Sequence, residues 1–182
     1  MSNVYFIKAR KNNTPENISA DAAILFQNFL ERENVSLAEK LPLKVHFGEK
    51  GNKTFIPPTC FNGLIDILKR RKIEACYTET NALYRGQRQN RTDHEKLAAE
   101  HGFTQLPVVI ADGEYGDDFE QVKINGKHFE SCFIGKSIAS AEQVLVISHF
   151  KGHMLAGFGG AVKQLAMGCG VCAFYYNTQR VW

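Results

Sequence analysis

Short apolar runs alternate with amphipathic helical segments along most of this chain, and that alternation constrains the fold more than any other feature. β-Branched runs are typical of buried strands, whereas apolar residues recurring every three or four positions are typical of helices. The predicted strands cover residues 4–7, 43–47, 73–78, 106–111 and 144–147, and the predicted helices cover residues 18–33, 60–72, 92–101 and 161–167. Two further runs, 119–124 and 129–134, flank Asn125-Gly126, a dipeptide typical of hairpin turns. The sequence therefore predicts an α/β fold with a mainly parallel sheet flanked by helices, plus one β-hairpin.

The segment after the last apolar run concentrates groups that bind ligands. Residues 149–163 contain two histidines, two lysines and four glycines: His149, His153, Lys151, Lys163, Gly152, Gly157, Gly159 and Gly160. A strand, a glycine-rich turn and a helix are predicted to follow one another here. Ligands of α/β proteins bind at the carboxyl ends of strands, where glycines admit a close approach and the N–H groups of a helix start favour an anion. The alternative is that the glycines serve tight packing only.

Other polar side chains follow the predicted strands. Arg85 and Arg88 lie in the loop after residues 73–78, and their guanidinium groups suit phosphate or carboxylate, although a solvated polar loop would look the same. His46 and Glu49 close the second predicted strand and either contact a ligand or complete the local structure. Asp112 precedes Gly113, and its type and position favour a turn residue over a base.

The five cysteines form no disulfide framework. Only Cys169 and Cys172 have a CxxC spacing, which fits half of a shared metal site, a redox pair or two incidental thiols. The candidate metal ligands are therefore His149, His153, Cys169 and Cys172. The chain contains no complete [4Fe-4S] motif, because such a cluster needs four cysteines at suitable spacing.

Composition and charge exclude several classes of protein. The 182 residues are 44% hydrophobic and 23% charged, as in ordinary globular proteins, and fit one α/β domain over residues 1–170 with an aromatic tail at 171–182. The formal charge of +3 is too small to indicate nucleic-acid binding. No apolar run reaches the ~18 residues of a membrane span, and the N-terminus does not resemble a signal peptide. We therefore expect a cytoplasmic protein with no nucleic-acid or membrane partner.

Several motifs resemble those of a family of uncharacterised proteins often fused to [4Fe-4S] ferredoxin modules. They lie at residues 44–49, 55–58, 80–88, 111–113, 148–153 and 157–168, so the resemblance runs from about residue 4 to about residue 170. It implies a ferredoxin-like electron-transfer partner. The family usually continues with a further sheet portion, so the chain is expected to be an early-terminated version of a larger architecture. After Gly168 the resemblance fades.

The glycine-rich segment is also distantly similar to nickel-pincer lactate racemases. His153, residues 157–160 and Lys163 follow in the same order and spacing as a histidine, a glycine-rich turn and a lysine in that family. The resemblance implies that Lys163 tethers a nucleotide-like cofactor or binds its phosphate, and that His153 transfers protons. The racemases have a further histidine beyond this motif as a nickel ligand. No histidine follows His153 here, which disfavours a complete nickel site within one chain.

Two classes of function follow. In the first, the chain is an enzyme core that binds a phosphate-containing cofactor or a metal for redox or proton-transfer chemistry, including racemase-like chemistry. His153 and His149 are then the catalytic candidates, and Lys163, Gly157, Gly159, Gly160, Lys151, Arg85 and Arg88 are the cofactor-binding candidates. In the second, the chain is a non-catalytic ligand- or metal-binding module that acts through association. An α/β layer lacking its partner exposes apolar surface, so a homo-oligomer is expected in either class.

Overall fold

The computed structural model describes residues 3–154 and 156–171. The strands are β1 (Lys40–Lys44), β2 (Glu74–Glu79), β3 (Val108–Ile110), β4 (Phe119–Lys123), β5 (Ser131–Gly135), β6 (Leu145–Val146), β7 (Lys151–His153) and β8 (Gly157–Gly159). The helices are α1 (Pro15–Arg32), α2 (Asn62–Arg70), α3 (Arg91–Glu100), α4 (Lys136–Ala139) and α5 (Ala161–Ala166), with a 3₁₀ turn at Pro58–Phe61 before α2. No helix in these ranges is both long and apolar enough to cross a membrane.

The central sheet has the strand order β3-β2-β1-β6, and every neighbouring pair is parallel. Leu43 of β1 lies opposite Tyr77 of β2 on one side and Leu145 of β6 on the other. Strands β4 and β5 form a separate antiparallel hairpin. The predicted α/β class, with a parallel sheet, flanking helices and a hairpin, is confirmed. Because the four parallel strands point the same way, the loops that follow them meet at one edge of the sheet.

The helices bury apolar faces against this sheet. Thr14 caps α1 by accepting a hydrogen bond from Asn17 N (3.3 Å), and Asn90 caps α3 by accepting one from Asp93 N (2.9 Å). Helix α1 packs on α2, α2 contacts β2 and α3 contacts β3. The resulting core also contains a group of aromatic rings, namely Phe47, Phe61, Tyr77 and Phe103. One of these rings, Phe61, also lines the cavity described below.

Two parts of the predicted strand pattern are wrong. Residues 4–7 form no strand, and Val4 and Phe6 are 88% and 80% exposed, because no neighbouring strand of the described structure pairs with them. The chain also does not pass directly from β6 through a turn into α5. The antiparallel hairpin β7–β8 is inserted between them, with Gly152 opposite Phe158. Lys151 and His153 therefore lie on a hairpin, Lys163 lies on a short helix, and His149 lies in the segment between β6 and β7.

Candidate functional site

A cavity of about 460 Å³ opens at the carboxyl edge of the parallel sheet. Its walls come from the loops after β1, β2 and β6, from the β7–β8 hairpin and from α5. This volume lies within the range of small-molecule sites, roughly 300–1,000 Å³. The location is the one at which α/β sheets bind ligands, so the cavity is the candidate functional site.

The cavity brings together most of the residues that the sequence singled out. Those that line it are His149, Lys151, His153, Gly159, Gly160, Lys163 and Arg88. Gly157 and Arg85 are not among the lining residues and are exposed. Gly157 has a φ of +73°, so it serves the geometry of the hairpin turn. Arg85 lies in the predicted loop, but it is Arg88 whose side chain turns inward.

Lys151 and Lys163 converge over one glycine. A Cβ added to Gly159 would lie 3.7 Å from Lys151 Cγ and 3.9 Å from Lys163 Cδ. Neither lysine forms an ion pair with an acidic residue in the described part of the chain. Partial burial lowers the pKa of Lys163, and the positive charges of Lys151 and Arg88 lower it further. The pair therefore forms a positive region that this part of the protein does not neutralise.

The helix that carries Lys163 is held against the sheet by its neighbour Gln164. Gln164 Nε2 donates to the backbone oxygen of Lys44 at the end of β1 (3.0 Å), and Ser148 Oγ donates to Gln164 Oε1. Helix α5 has only six residues, so the anion site expected from a helix N-terminus is not supported. The lysine side chains, rather than helix N–H groups, supply the positive charge here.

Arg88 forms the second polar part of the cavity wall. Its side chain is buried, its Nη1 lies 3.1 Å from Glu49 Oε1, and the same nitrogen lies 2.7 Å from His46 Nε2. Tyr84 donates a hydrogen bond to the same Glu49 oxygen. Glu49 thus neutralises Arg88 and connects the loop after β1 with the loop after β2.

His46 faces two donors, although a neutral imidazole has one acceptor nitrogen. Gly48 N lies 2.9 Å from Nδ1, and Arg88 lies against Nε2. Both partners can only donate, so one of the two contacts is not a hydrogen bond in either tautomer. The ring is accessible from the cavity, yet the surrounding protein and the charge of Arg88 lower the pKa of His46 to about 4. His46 is therefore neutral near pH 7.

A buried ion pair lies behind these loops and was not predicted from the sequence. Lys44 Nζ is 2.8 Å from Glu79 Oε1, and the other Glu79 oxygen accepts from Thr80 N (2.8 Å). Burial opposes ionisation of Glu79, but Lys44 and Arg88 outweigh it and lower the pKa of Glu79 to about 2. The only sequence signal was Lys44 itself, a lysine between Leu43 and Val45 in a predicted strand.

The two predicted catalytic histidines both reach the cavity. His149 is exposed and follows β6, whereas His153 is partly buried at the end of β7. His153 Nδ1 accepts a hydrogen bond from Ala156 N (3.1 Å). In the neutral form the proton of His153 is therefore on Nε2. The Nε2–H group can donate a hydrogen bond to a ligand in the cavity, and uptake of a second proton by the ring requires the contact between Nδ1 and Ala156 N to open.

The candidate metal ligands do not assemble within the described chain. Residues 3–154 and 156–171 contain no group of three or more histidine, cysteine, aspartate or glutamate side chains placed to hold a metal ion. Cys169 is buried beside Ala111 and Ile138, and burial raises the pKa of its thiol. A buried, protonated thiol packs as a small apolar group. Cys172 lies outside the described residues.

Asp112 holds the loop after β2 in place. Its buried carboxylate accepts hydrogen bonds from Asn81 N to both oxygens (3.0 and 3.1 Å) and from Asn81 Nδ2 (3.1 Å). Burial raises the pKa of Asp112 to about 6. Asp112 is not among the cavity-lining residues, although Asn81 is. Its contacts are those of a structural anchor at a turn.

A family model described as a domain of unknown function, DUF362, matches residues 42–179. The chain belongs to this family. The match covers about three quarters of the 182 residues and includes every cavity-lining residue. No match was found among curated proteins or among solved structures.

The boundaries of this match differ from those expected. The resemblance was expected over residues 4–170, but the family model begins at residue 42, which leaves α1 outside it. It also extends to residue 179, past Gly168, where the resemblance was expected to fade. The family description assigns no activity, and the function must be argued from the cavity.

Proposed function

We propose that the cavity binds a small anionic compound through a phosphate or carboxylate group, and that the chain is the core of an enzyme that transfers protons on it. The observation that carries this proposal is the convergence of Lys151 and Lys163 over Gly159, with no acidic partner for either in the described chain. Like charges brought together in a partly buried site raise each other's free energy. A bound anion removes that cost.

The two carboxylates near the cavity also support the proposal, because each is already paired with another cation. Glu79 is paired with Lys44, and Glu49 is paired with Arg88. Neither carboxylate is therefore left to neutralise the two lysines. Gly159 and Gly160 lack side chains, so a ligand can approach the backbone of the hairpin closely.

His153 is the proposed proton-transfer residue, and His149 is the second candidate. Both line the cavity that contains the lysines, and a histidine side chain changes charge close to neutral pH in water. An anionic group held by Lys151 and Lys163 would present its remaining atoms to these rings. The proposal assigns binding to the lysines and proton transfer to the histidines.

A phosphate-bearing, nucleotide-like cofactor fits this site at its anionic end. Lys163 and Lys151 would hold the phosphate, and the cofactor would supply the redox or isomerisation chemistry that the family resemblance suggests. In the redox case, a ferredoxin-like partner would deliver the electrons. The described residues offer no three-ligand metal group, so the proposal does not include a metal held by this part of the chain alone.

The binding half of the proposal is tested with pyrophosphate and isothermal titration calorimetry on the whole chain. Lys151→Gln and Lys163→Gln should each weaken binding by about 10- to 100-fold, the effect of losing a charge-assisted hydrogen bond. Lys127→Gln, which removes an exposed lysine outside the cavity, is the matched control and should bind as the wild type does. Equal affinities in all four proteins would contradict the anion site.

The catalytic half is tested with His153→Gln, which keeps a polar side chain of similar reach. Binding of pyrophosphate should persist, whereas solvent-proton exchange into a bound substrate should stop. If the variant binds pyrophosphate, but the wild-type protein exchanges no solvent protons into any ligand that binds, the result contradicts proton transfer. It then favours the alternative, a non-catalytic binding module.

A further inference from the structure

The cavity also has an apolar wall, and the binding of an anion by the two lysines does not account for it. Phe55, Ile56, Phe61 and Ile147 line the same space as Lys151 and Lys163. Phe55, Ile56 and Ile147 are only partly buried, so apolar surface faces the cavity. Water against such a wall is unfavourable, and a ligand with an apolar body displaces it.

Phe55 and Phe61 of this wall pack against residues that do not line the cavity. The ring of Phe55 stacks on His101 with centroids 4.5 Å apart and an interplanar angle of 11°. His101 is itself fixed, because its Nδ1 lies 2.7 Å from the backbone oxygen of Phe47. Phe61 is 5% exposed and packs on Phe103 at 6.3 Å. A planar group therefore meets a preformed surface and little ordering entropy is lost on binding.

The size of the cavity also argues against a simple inorganic anion. A cavity of about 460 Å³ has room for many water molecules. A phosphate group takes the space of only a few of them. The remaining volume would stay wet against the apolar wall, so the space fits a larger organic molecule.

We infer that the natural ligand is a phosphate monoester whose organic part is planar and apolar, with the phosphate at Lys151 and Lys163 and the planar part against Phe55 and Ile56. Two lysines without acidic partners match the charge of about −2 on a phosphate monoester at neutral pH. The inference rests on the proposed anion site and adds the chemical class of its ligand.

The test compares methyl phosphate, phenyl phosphate and 1-naphthyl phosphate on the whole chain by calorimetry. Affinity should rise in that order, and 1-naphthyl phosphate should bind at least about tenfold more tightly than methyl phosphate. Phe55→Leu and Ile56→Thr should weaken the binding of 1-naphthyl phosphate more than that of methyl phosphate, and so reduce the preference to roughly threefold or less. Phe119→Leu, at a phenylalanine on β4 outside the cavity, is the matched control and should keep the full preference.

The possible results separate this inference from the anion site. If the three compounds bind with equal affinity and Lys163→Gln weakens the binding of each, the ligand has no planar apolar part at this wall. The anion site would still be supported. A preference that survives both wall variants would show that the apolar contact lies elsewhere. If none of the three binds to the wild-type chain, the anion site is wrong and the inference falls with it. The wild-type and Lys163→Gln measurements decide the first and last cases even if Phe55→Leu does not fold.

Discussion

The ammonium group of Lys44 lies 2.8 Å from the carboxylate of Glu79, and the two side chains are 0% and 3% exposed. The pair joins the ends of β1 and β2, the central strands of the sheet. Lys44 also donates to the backbone oxygen of Val45 (3.2 Å), and Glu79 accepts from Thr80 N. These contacts fix the points at which two cavity-forming loops leave the sheet.

Lys44→Met should lower the free energy of unfolding by about 3–5 kcal/mol. Removal of one partner leaves the Glu79 carboxylate buried without its counter-charge. Chemical denaturation at pH 7 measures the change. The additional substitution Glu79→Gln should recover part of the loss, because no unpaired charge remains.

A neighbouring pair in the same two strands supplies the control for this prediction. Lys40 and Glu74 are 3.5 Å apart, but their side chains are 77% and 73% exposed. Lys40→Met should change the free energy of unfolding by less than about 1 kcal/mol, since water already solvates both charges. Similar losses for Lys40→Met and Lys44→Met would contradict a special role for the buried pair.

His94 should make the protein sensitive to mild acid. It is fully buried against Phe47, neither ring nitrogen has a hydrogen-bond partner among the described residues, and burial lowers its pKa to about 3. The unfolded chain binds a proton near pH 6.5, while the folded chain does not. Stability is therefore full above about pH 6.5 and falls as the pH drops toward 3. His94→Leu should reduce the loss between pH 7 and pH 5 by about 2 kcal/mol.

Urea denaturation at several pH values measures this effect. At pH 7 the His94→Leu variant should be at least as stable as the wild type, because two unpaired buried nitrogens are removed. His128→Leu, at an exposed histidine, is the control and should keep the wild-type pH dependence. The same pH dependence in His94→Leu and the wild type would rule out His94 as the source.

Gly48 is required for the position of Phe55 in the cavity wall. It has a φ of +87°, and an added Cβ would lie 2.6 Å from Phe55 Cδ1. Gly48→Ala should destabilise the protein by roughly 2–4 kcal/mol, from both the left-handed backbone and the steric clash. Thermal and chemical unfolding measure the loss.

Gly51, in the same loop, separates the two contributions. Its φ is +78°, but nothing lies within 4 Å of an added Cβ. Gly51→Ala should therefore cost only the backbone term, about 1–2 kcal/mol. If both alanine variants lose the same stability, the contact between Gly48 and Phe55 does not constrain this loop.

Local pattern predicted the fold better than it predicted the contacts in the cavity. Apolar periodicity located the helices and the central strands because burial of one face is encoded by nearest neighbours in sequence. The run at residues 4–7 shows the limit of that reasoning, since a strand also needs a partner and none lies beside it in the described structure. The β7–β8 hairpin was missed because glycines permit several turn geometries and pattern alone does not choose among them.

Some residues of the candidate site could be predicted because they are close together in sequence, and others could not. Lys151, His153 and Lys163 lie close together in sequence, so their types and spacing drew attention to them. Arg88 and Arg85 could not be told apart, because the direction of each side chain depends on Glu49 and His46 from another loop. Lys44 and Glu79 are 35 positions apart, and only strand pairing brings them into contact.

The sequence by itself determined the α/β class, the parallel strands and a cationic, glycine-rich segment after the last of them, because these follow from residue type and short-range periodicity. Only the tertiary structure decided which cations converge on Gly159, which are neutralised by Glu49 and Glu79, and that an apolar wall shares the cavity with them. Those relationships depend on distances between separate loops. Such distances are set by strand register and side-chain packing, which residue order alone does not specify.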